Sequence, residues 1–232
     1  MPKVAASKRA SRGRRTRCSR LLRMPNIKSK RGRPRGTSGR AAVLTRAQVR
    51  QVFRVAKVRG RFADRAEAVF ALSVGLGLRA KELAALKWVD VYEADGKVRH
   101  VVHLKAAYTK GAKTRDVFVS SPPLRKVLAH YGEDRWLMSA RASQAPLFPS
   151  QKGGHLTPGS MARFLKYLYR EAGIASATSH SGRRTLITGL AERGVDLKSI
   201  AQIAGHSTIR TTAMYVEANP TRLARILQDV SW

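Results

Sequence analysis

The chain has a single cysteine, Cys18, which excludes an intramolecular disulfide and a zinc site built on several thiolates. Acids are scarce: 14 Asp plus Glu stand against 46 Lys plus Arg, for a formal charge of +32. A compact chain with so much unbalanced charge repels itself unless a polyanion is near, and nucleic acid is the polyanion that fits. Long apolar runs are missing as well. The longest, Ala68 to Leu78, is far short of the ~20 residues of a membrane span. No apolar signal core follows Met1. Metal-ligand patterns are lacking: His100 and His103 have an odd spacing that would put them on opposite faces of a strand. Asp90, Glu93 and Asp95, with Gly96, read as a polar turn before a sheet. These absences weigh against a membrane protein, a disulfide scaffold and a two-metal nuclease. A reducing interior suits such a chain, and a cytoplasmic, nucleoid-associated location is expected.

What is present divides unevenly. Residues Met1 to Arg40 hold fifteen of the basic residues and no acid, whereas all 14 acids follow. Such a leader cannot bury enough apolar surface to offset its ordering entropy, so residues 1–40 are expected to form a mobile DNA-binding arm, and 41–232 a folded domain. Within the arm, Arg31-Gly32-Arg33-Pro34-Arg35-Gly36 resembles the AT-hook, an extended motif that lies in the narrow minor groove of A/T-rich DNA. A basic tail that matches by chance is the alternative. The Arg-rich, Ser-rich, acid-free composition also fits an organellar transit peptide, although Val4, Leu21, Leu22, Met24 and Ile27 form no helical stripe.

From Thr45 onward the pattern is mainly helical with one small antiparallel sheet, an α+β class. Thr45-Arg46-Ala47-Gln48 is a capping-box sequence. It is followed by Val49, Val52, Phe53 and Ala56 at helical spacing, which predicts a helix from Thr45 to about Val58. Helices are expected at Phe62 to Leu76 and Arg79 to Trp88. Strands are read around Val98 to Val102 and Val117 to Val119, with a turn at Gly111. Ser121-Pro122 starts another helix. Further helices are expected at about 159–172, 180–193, 196–204, 207–217 and 220–229.

The chemistry-bearing residues are scattered cations and one tyrosine. Arg79 and Glu82 share a helical face, where the acid can hold the guanidinium. His180 and Arg183 stand in the same relation. Tyr108-Thr109-Lys110-Gly111-Ala112-Lys113-Thr114-Arg115 is a hairpin tip loaded with cations, and Gly205-His206-Ser207 precedes Tyr215 by a helical stretch. Each has a plain alternative. Arg79 with Glu82 can be a surface ion pair, His180 and His206 helix caps, and Tyr215 a core aromatic.

In this order the residues resemble the tyrosine recombinase, or lambda-type integrase, family, over about Thr45 to the C-terminus. Its signature of Arg, Lys, His-x-x-Arg, His and Tyr carries over to Arg79, Lys110, His180, Arg183, His206 and Tyr215, with Glu82 in support. Lys105 and Lys113 flank Lys110 as rivals. The resemblance implies site-specific recombination: integration, excision or inversion through a 3′-phosphotyrosyl intermediate, with no metal and no cofactor. Duplex DNA is the implied partner, with Lys113, Arg115 and Arg184 among the expected DNA contacts beside Arg31, Arg33, Pro34 and Arg35. Self-association on DNA through a helix at 220–230 and an accessory recombinase are further expectations.

Two departures stand out. The family commonly has Leu and His beside the second Arg, where this chain has Gly182 and Arg184. Forty basic residues also cannot fold into the separate clamping domain of many relatives, so a short form lacking that core-binding domain is expected. A type IB topoisomerase-like enzyme and a non-catalytic DNA-binding accessory protein are the rival readings. A mere binder has no use for Tyr215, His180 or Lys110.

Overall fold

The computed structural model describes residues 41–109, 114–139 and 144–215, with backbone alone over 134–139. The expectations for Arg31, Arg33, Pro34, Arg35, Lys110, Lys113, the turn at Gly111 and the helix at 220–230 lie outside the described residues.

Helix α1 (Arg46–Lys57) starts as its sequence dictates: Thr45 Oγ1 accepts from Gln48 N–H at 3.2 Å while Gln48 Oε1 accepts from Thr45 N–H at 2.9 Å. Its Val52 and Ala56 are buried, packed toward α2 (Ala63–Gly75) and α6 (Pro158–Glu171). Helix α2 is apolar on most sides, consistent with its place at the centre. It meets α1, α5 (Pro122–Ser139) and α7 (Ser181–Glu192).

The helix expected to run from Arg79 to Trp88 is two helices. The first, α3 (Ala80–Ala85), ends where Leu86 turns extended, at ψ 141°. Leu86 O there accepts from Leu147 N–H at 2.8 Å, and Trp88 N–H donates to Ala145 O at 3.1 Å. Pairing with this later segment wins over helix continuation. The second, α4 (Trp88–Val91), is capped by Asp90, whose carboxylate takes the Lys87 N–H at 2.9 Å. Asp90 is thus a cap, while Asp95 holds the following turn through Lys97 N–H at 3.0 Å.

Strands β1 (Val101–Leu104) and β2 (Arg115–Phe118) pair antiparallel, with Val102 opposite Val117 and His103 opposite Asp116. Val102, Leu104 and Val117 face the core, and His103 faces solvent beside Asp116. Stacked Trp88, Tyr92 and Tyr131 fill the space near α5. Beside them Gly132 is obligatory, because a Cβ there would lie 2.8 Å from the Tyr92 ring.

The C-terminal part carries α7, α8 (Leu197–Ala204) and α9 (Ile209–Ala213) around a small cluster of Ile187, Ala191, Ile200 and Ala204. Helix α9 is shorter than the expected 207–217, and Tyr215 lies in the turn after it, its N–H bonded to Thr212 O at 2.9 Å. Among the described residues, no helix is long and apolar enough to cross a membrane.

Candidate active site

The site forms around the end of α8. That helix closes in a Schellman turn: Gly205 is left-handed at φ +64°, its N–H reaches Gln202 O, and His206 N–H reaches Ala201 O at 2.9 Å. Such a turn leaves the last carbonyls of the helix without intrahelical donors, at the negative end of its dipole. Three arginines from three other elements satisfy them in succession. Arg115, from β2, donates to Ile203 O at 2.6 Å. Arg183, from α7, makes a short bond to Ala204 O. Arg79, at the start of α3, donates to Gly205 O at 3.3 Å.

Glu82 is the counterweight. It is fully buried, caps the Arg79 N–H at 2.7 Å, and pairs with the Arg79 guanidinium at 2.9 Å and with Arg115 at 2.8 Å. The expected Arg79–Glu82 pair is therefore formed, but it is an interior one rather than the surface pair of the plain alternative. The Arg115 guanidinium points onto Glu82 and Ile203 O, and its side chain is only 9% exposed, so it braces the cluster from within. The sequence carries no local sign that Glu82 lies across from it. Arg184, also expected to contact DNA, donates to Ala41 O at 2.6 Å and ties α7 to the start of the described chain.

Arg183 is 3% exposed and also donates to Gly77 O at 2.9 Å, on a glycine held at φ +63°. Burial, then repulsion from Arg79 and Arg115, lowers its pKa to about 10, and it remains a cation at neutral pH. Gly182, the departure beside it, has a local reason. A Cβ there would come within 2.5 Å of Ser73 Oγ and 3.1 Å of the Ser73 backbone, so glycine lets α7 lie directly on α2.

His206 follows the Schellman turn and is not a helix cap. Its ring stacks on Tyr215, with centroids 5.6 Å apart and planes 20° from parallel, and its Nδ1 lies 2.8 Å from Thr212 Oγ1. Burial, then the charges of Arg183, Arg79 and Arg115, depresses its pKa to about 4, which leaves the imidazole neutral at pH 7. Tyr215 is half-buried against the Ile187–Ile200 cluster. His180 is the exposed N-cap of α7, three residues ahead of Arg183.

The structure thus brings Arg79, Glu82, Arg183, His206 and Tyr215 into one place and adds Arg115 and Thr212. Among the described residues, three guanidinium groups lie near His206 with one carboxylate, Glu82, between them, an excess of positive charge that an anion would complete.

Solved structures that resemble this one include recombinases and integrases. XerA recombinase superposes with a TM-score of 0.66 at 23% identity, covering 84% of this chain and 68% of that one. XerH site-specific recombinase, bound to its difH substrate, gives 0.61 at 21% identity over 81% of this chain and 53% of that one. The fold is therefore that of a tyrosine recombinase catalytic domain. The model of the phage integrase family matches residues 42–222, and the chain belongs to that family. Tyrosine recombinase XerC of Myxococcus xanthus is 33% identical over 168 residues, 70% of this chain and 53% of the relative. XerD of Oceanobacillus iheyensis is 30% identical over 195 residues, 81% of this chain and 61% of the relative. The chain spans little more than half the length of these relatives.

Proposed function

We propose that the chain is a site-specific recombinase that cleaves and rejoins duplex DNA through a 3′-phosphotyrosyl bond at Tyr215. The observation that carries this reading is the cationic cluster of Arg79, Arg115 and Arg183 against Glu82, the one carboxylate there among the described residues, set beside a tyrosine that stacks on His206. A phosphodiester supplies the missing anion.

In this mechanism Arg79 and Arg183 grip the non-bridging oxygens. Each guanidinium has five N–H donors, so donors remain after the backbone carbonyls are served. The Tyr215 phenol gives its proton to a base, for which His180 is the candidate, as its oxygen attacks phosphorus and the bond to the 5′ oxygen breaks. Lys110 returns a proton to the departing 5′ oxygen. His206 donates a hydrogen bond to the phosphoryl group. Donors preorganised at a developing charge are worth roughly 10²–10³ each in rate. Rejoining is the reverse, with the 5′ hydroxyl attacking phosphotyrosine, so the diester energy is kept and no nucleotide is consumed.

Two exposed cationic stripes, which no motif in the sequence marks, support a DNA-binding role. Arg46, Arg50 and Arg54 share one face of α1, and Arg163, Lys166 and Arg170 share one face of α6. Among the described residues none of the six pairs with a carboxylate. In our reading they meet DNA phosphates, the arm at 1–40 clamps the duplex, the segment at 220–230 joins protomers on DNA, and the protein works in the cytoplasm on the nucleoid.

The test is a nicked suicide substrate, which traps the covalent adduct. The wild type should accumulate it in the presence of EDTA, because guanidinium groups supply the charge. Tyr215→Phe should form none while binding DNA with nearly unchanged affinity. Adduct in that variant would overturn the assignment.

A further inference from the structure

Thr212 lies in α9 and is fully buried. Its hydroxyl is 2.8 Å from His206 Nδ1, and among the described residues it has no other polar partner. That isolation decides the direction of the bond. If the hydroxyl accepted from Nδ1–H, its own proton would be buried without an acceptor and would carry the full cost of desolvation. If it donates, only spare lone pairs go unfilled. Nδ1 is then the acceptor, and in a neutral imidazole the proton must sit on Nε2. The ring is neutral because an imidazolium there would be partly desolvated and would face the charges of Arg183, Arg79 and Arg115.

We propose that Thr212 is a positioning residue that holds His206 as the Nε2–H tautomer, so that the ring offers the bound phosphate a donor that adds no charge. The inference rests on the phosphate-binding reading above and deepens it. Thr212 acts at both ends of the same turn. Its hydroxyl orients His206, and its carbonyl accepts the Tyr215 N–H at 2.9 Å, setting the nucleophile in register with the ring that stacks on it. No charged group is needed for this task. A further cation in place of the hydroxyl would repel the arginines, and a carboxylate would compete with the phosphate for them.

The tautomer can be read directly, by histidine-selective ¹⁵N NMR on the wild-type full chain at neutral pH. The expected spectrum shows His206 Nε2 protonated and Nδ1 bare; a protonated Nδ1 would overturn the proposal without any variant. Thr212→Val keeps the shape and removes the hydroxyl, and Thr212→Ser restores the hydroxyl. Single-turnover cleavage should fall ~10-fold or more in the valine variant, the scale expected when a transition-state donor is misoriented. It should return to within about threefold of wild type in the serine variant, with DNA affinity alike in all three. A valine variant that cleaves at the wild-type rate and keeps the Nε2–H spectrum would sink the proposal. Should the wild type fail to form the covalent adduct at all, the recombination reading falls, and the spectrum still decides the role of Thr212.

Discussion

At the scale of single residues, His206 shows how neighbours set a side chain's chemistry. Its neutral form is favoured by burial and by three nearby cations, with the pKa held at about 4 against an ordinary 6.5. In the unfolded chain the ring takes up a proton as pH falls through about 6.5, while in the folded protein it resists until about 4. The unfolded state therefore binds the extra proton across that window, and this contribution to stability is present above it and lost as pH falls through it. Chemical denaturation at a series of pH values should show it, and His206→Gln should flatten the dependence between pH 6.5 and 4. In the DNA-free chain the His206 resonance should move little between pH 8 and 5. Inorganic phosphate should raise its titration point, since an anion offsets the arginines. A midpoint near 6.5 without phosphate would show that the arginines do not surround it in solution.

Elements matter here by their ends more than by their middles. Helix α8 presents three consecutive carbonyls, at Ile203, Ala204 and Gly205, to Arg115, Arg183 and Arg79. Those arginines come from β2, α7 and the start of α3, so one helix terminus registers three separate parts of the chain. Gly205 is indispensable twice over: its φ of +64° disfavours a side chain, and a Cβ would lie 2.5 Å from Arg115 Cδ. The backbone cost alone is about 1 kcal/mol. Gly205→Ala should therefore lower stability by at least ~1 kcal/mol in urea unfolding. It should also slow cleavage by ~10-fold or more, because Arg115 and Glu82 must move and a positioned donor moves with them. Gly205→Asn separates the two effects, since asparagine tolerates the left-handed region while keeping the Cβ. If Asn restores cleavage, backbone strain and not the close approach to Arg115 is what the glycine relieves.

For the molecule as a whole, the dominant quantity is charge. Fifteen of the 46 basic residues lie in the first forty positions, without an acid among them. If that arm clamps DNA, deleting residues 1–40 should weaken binding and flatten its salt dependence by about 0.9 in log K per log salt for each phosphate the arm had neutralised. Cleavage of DNA already bound should survive, because the arginine cluster is built from later residues. Replacing Arg33 and Pro34 should selectively weaken binding to A/T-flanked sites if the segment reads a narrow minor groove. Equal weakening on G/C flanks would reduce it to a nonspecific tail. A salt slope unchanged by full deletion would remove the arm from DNA binding altogether.

Much of this was legible without coordinates, for reasons that are local. The Thr45–Gln48 capping box, the helical spacing of Val49 to Ala56 and the alternation around Val102 depend on near neighbours, and these elements formed close to their expected bounds. Arg79, Arg183, His206 and Tyr215, which the fold gathers, could be picked out as candidates because their order and immediate contexts are carried by the chain itself. Where an element's fate depends on distant residues, the local signal ran out. The helix expected through Trp88 broke at Leu86 because Ala145 and Leu147 offered backbone partners more than fifty residues away. Nothing near Arg115 in the chain shows that its guanidinium meets Glu82 and the Ile203 carbonyl. Thr212 is an ordinary helical threonine by sequence, and only its burial against His206 gives its hydroxyl a task. Short-range spacing settles which residues take part in a helix or a motif; long-range contact settles which atoms are desolvated, which charges share a cavity and which way a proton faces. Those are the properties on which the proposed chemistry depends, and tertiary packing alone decided them.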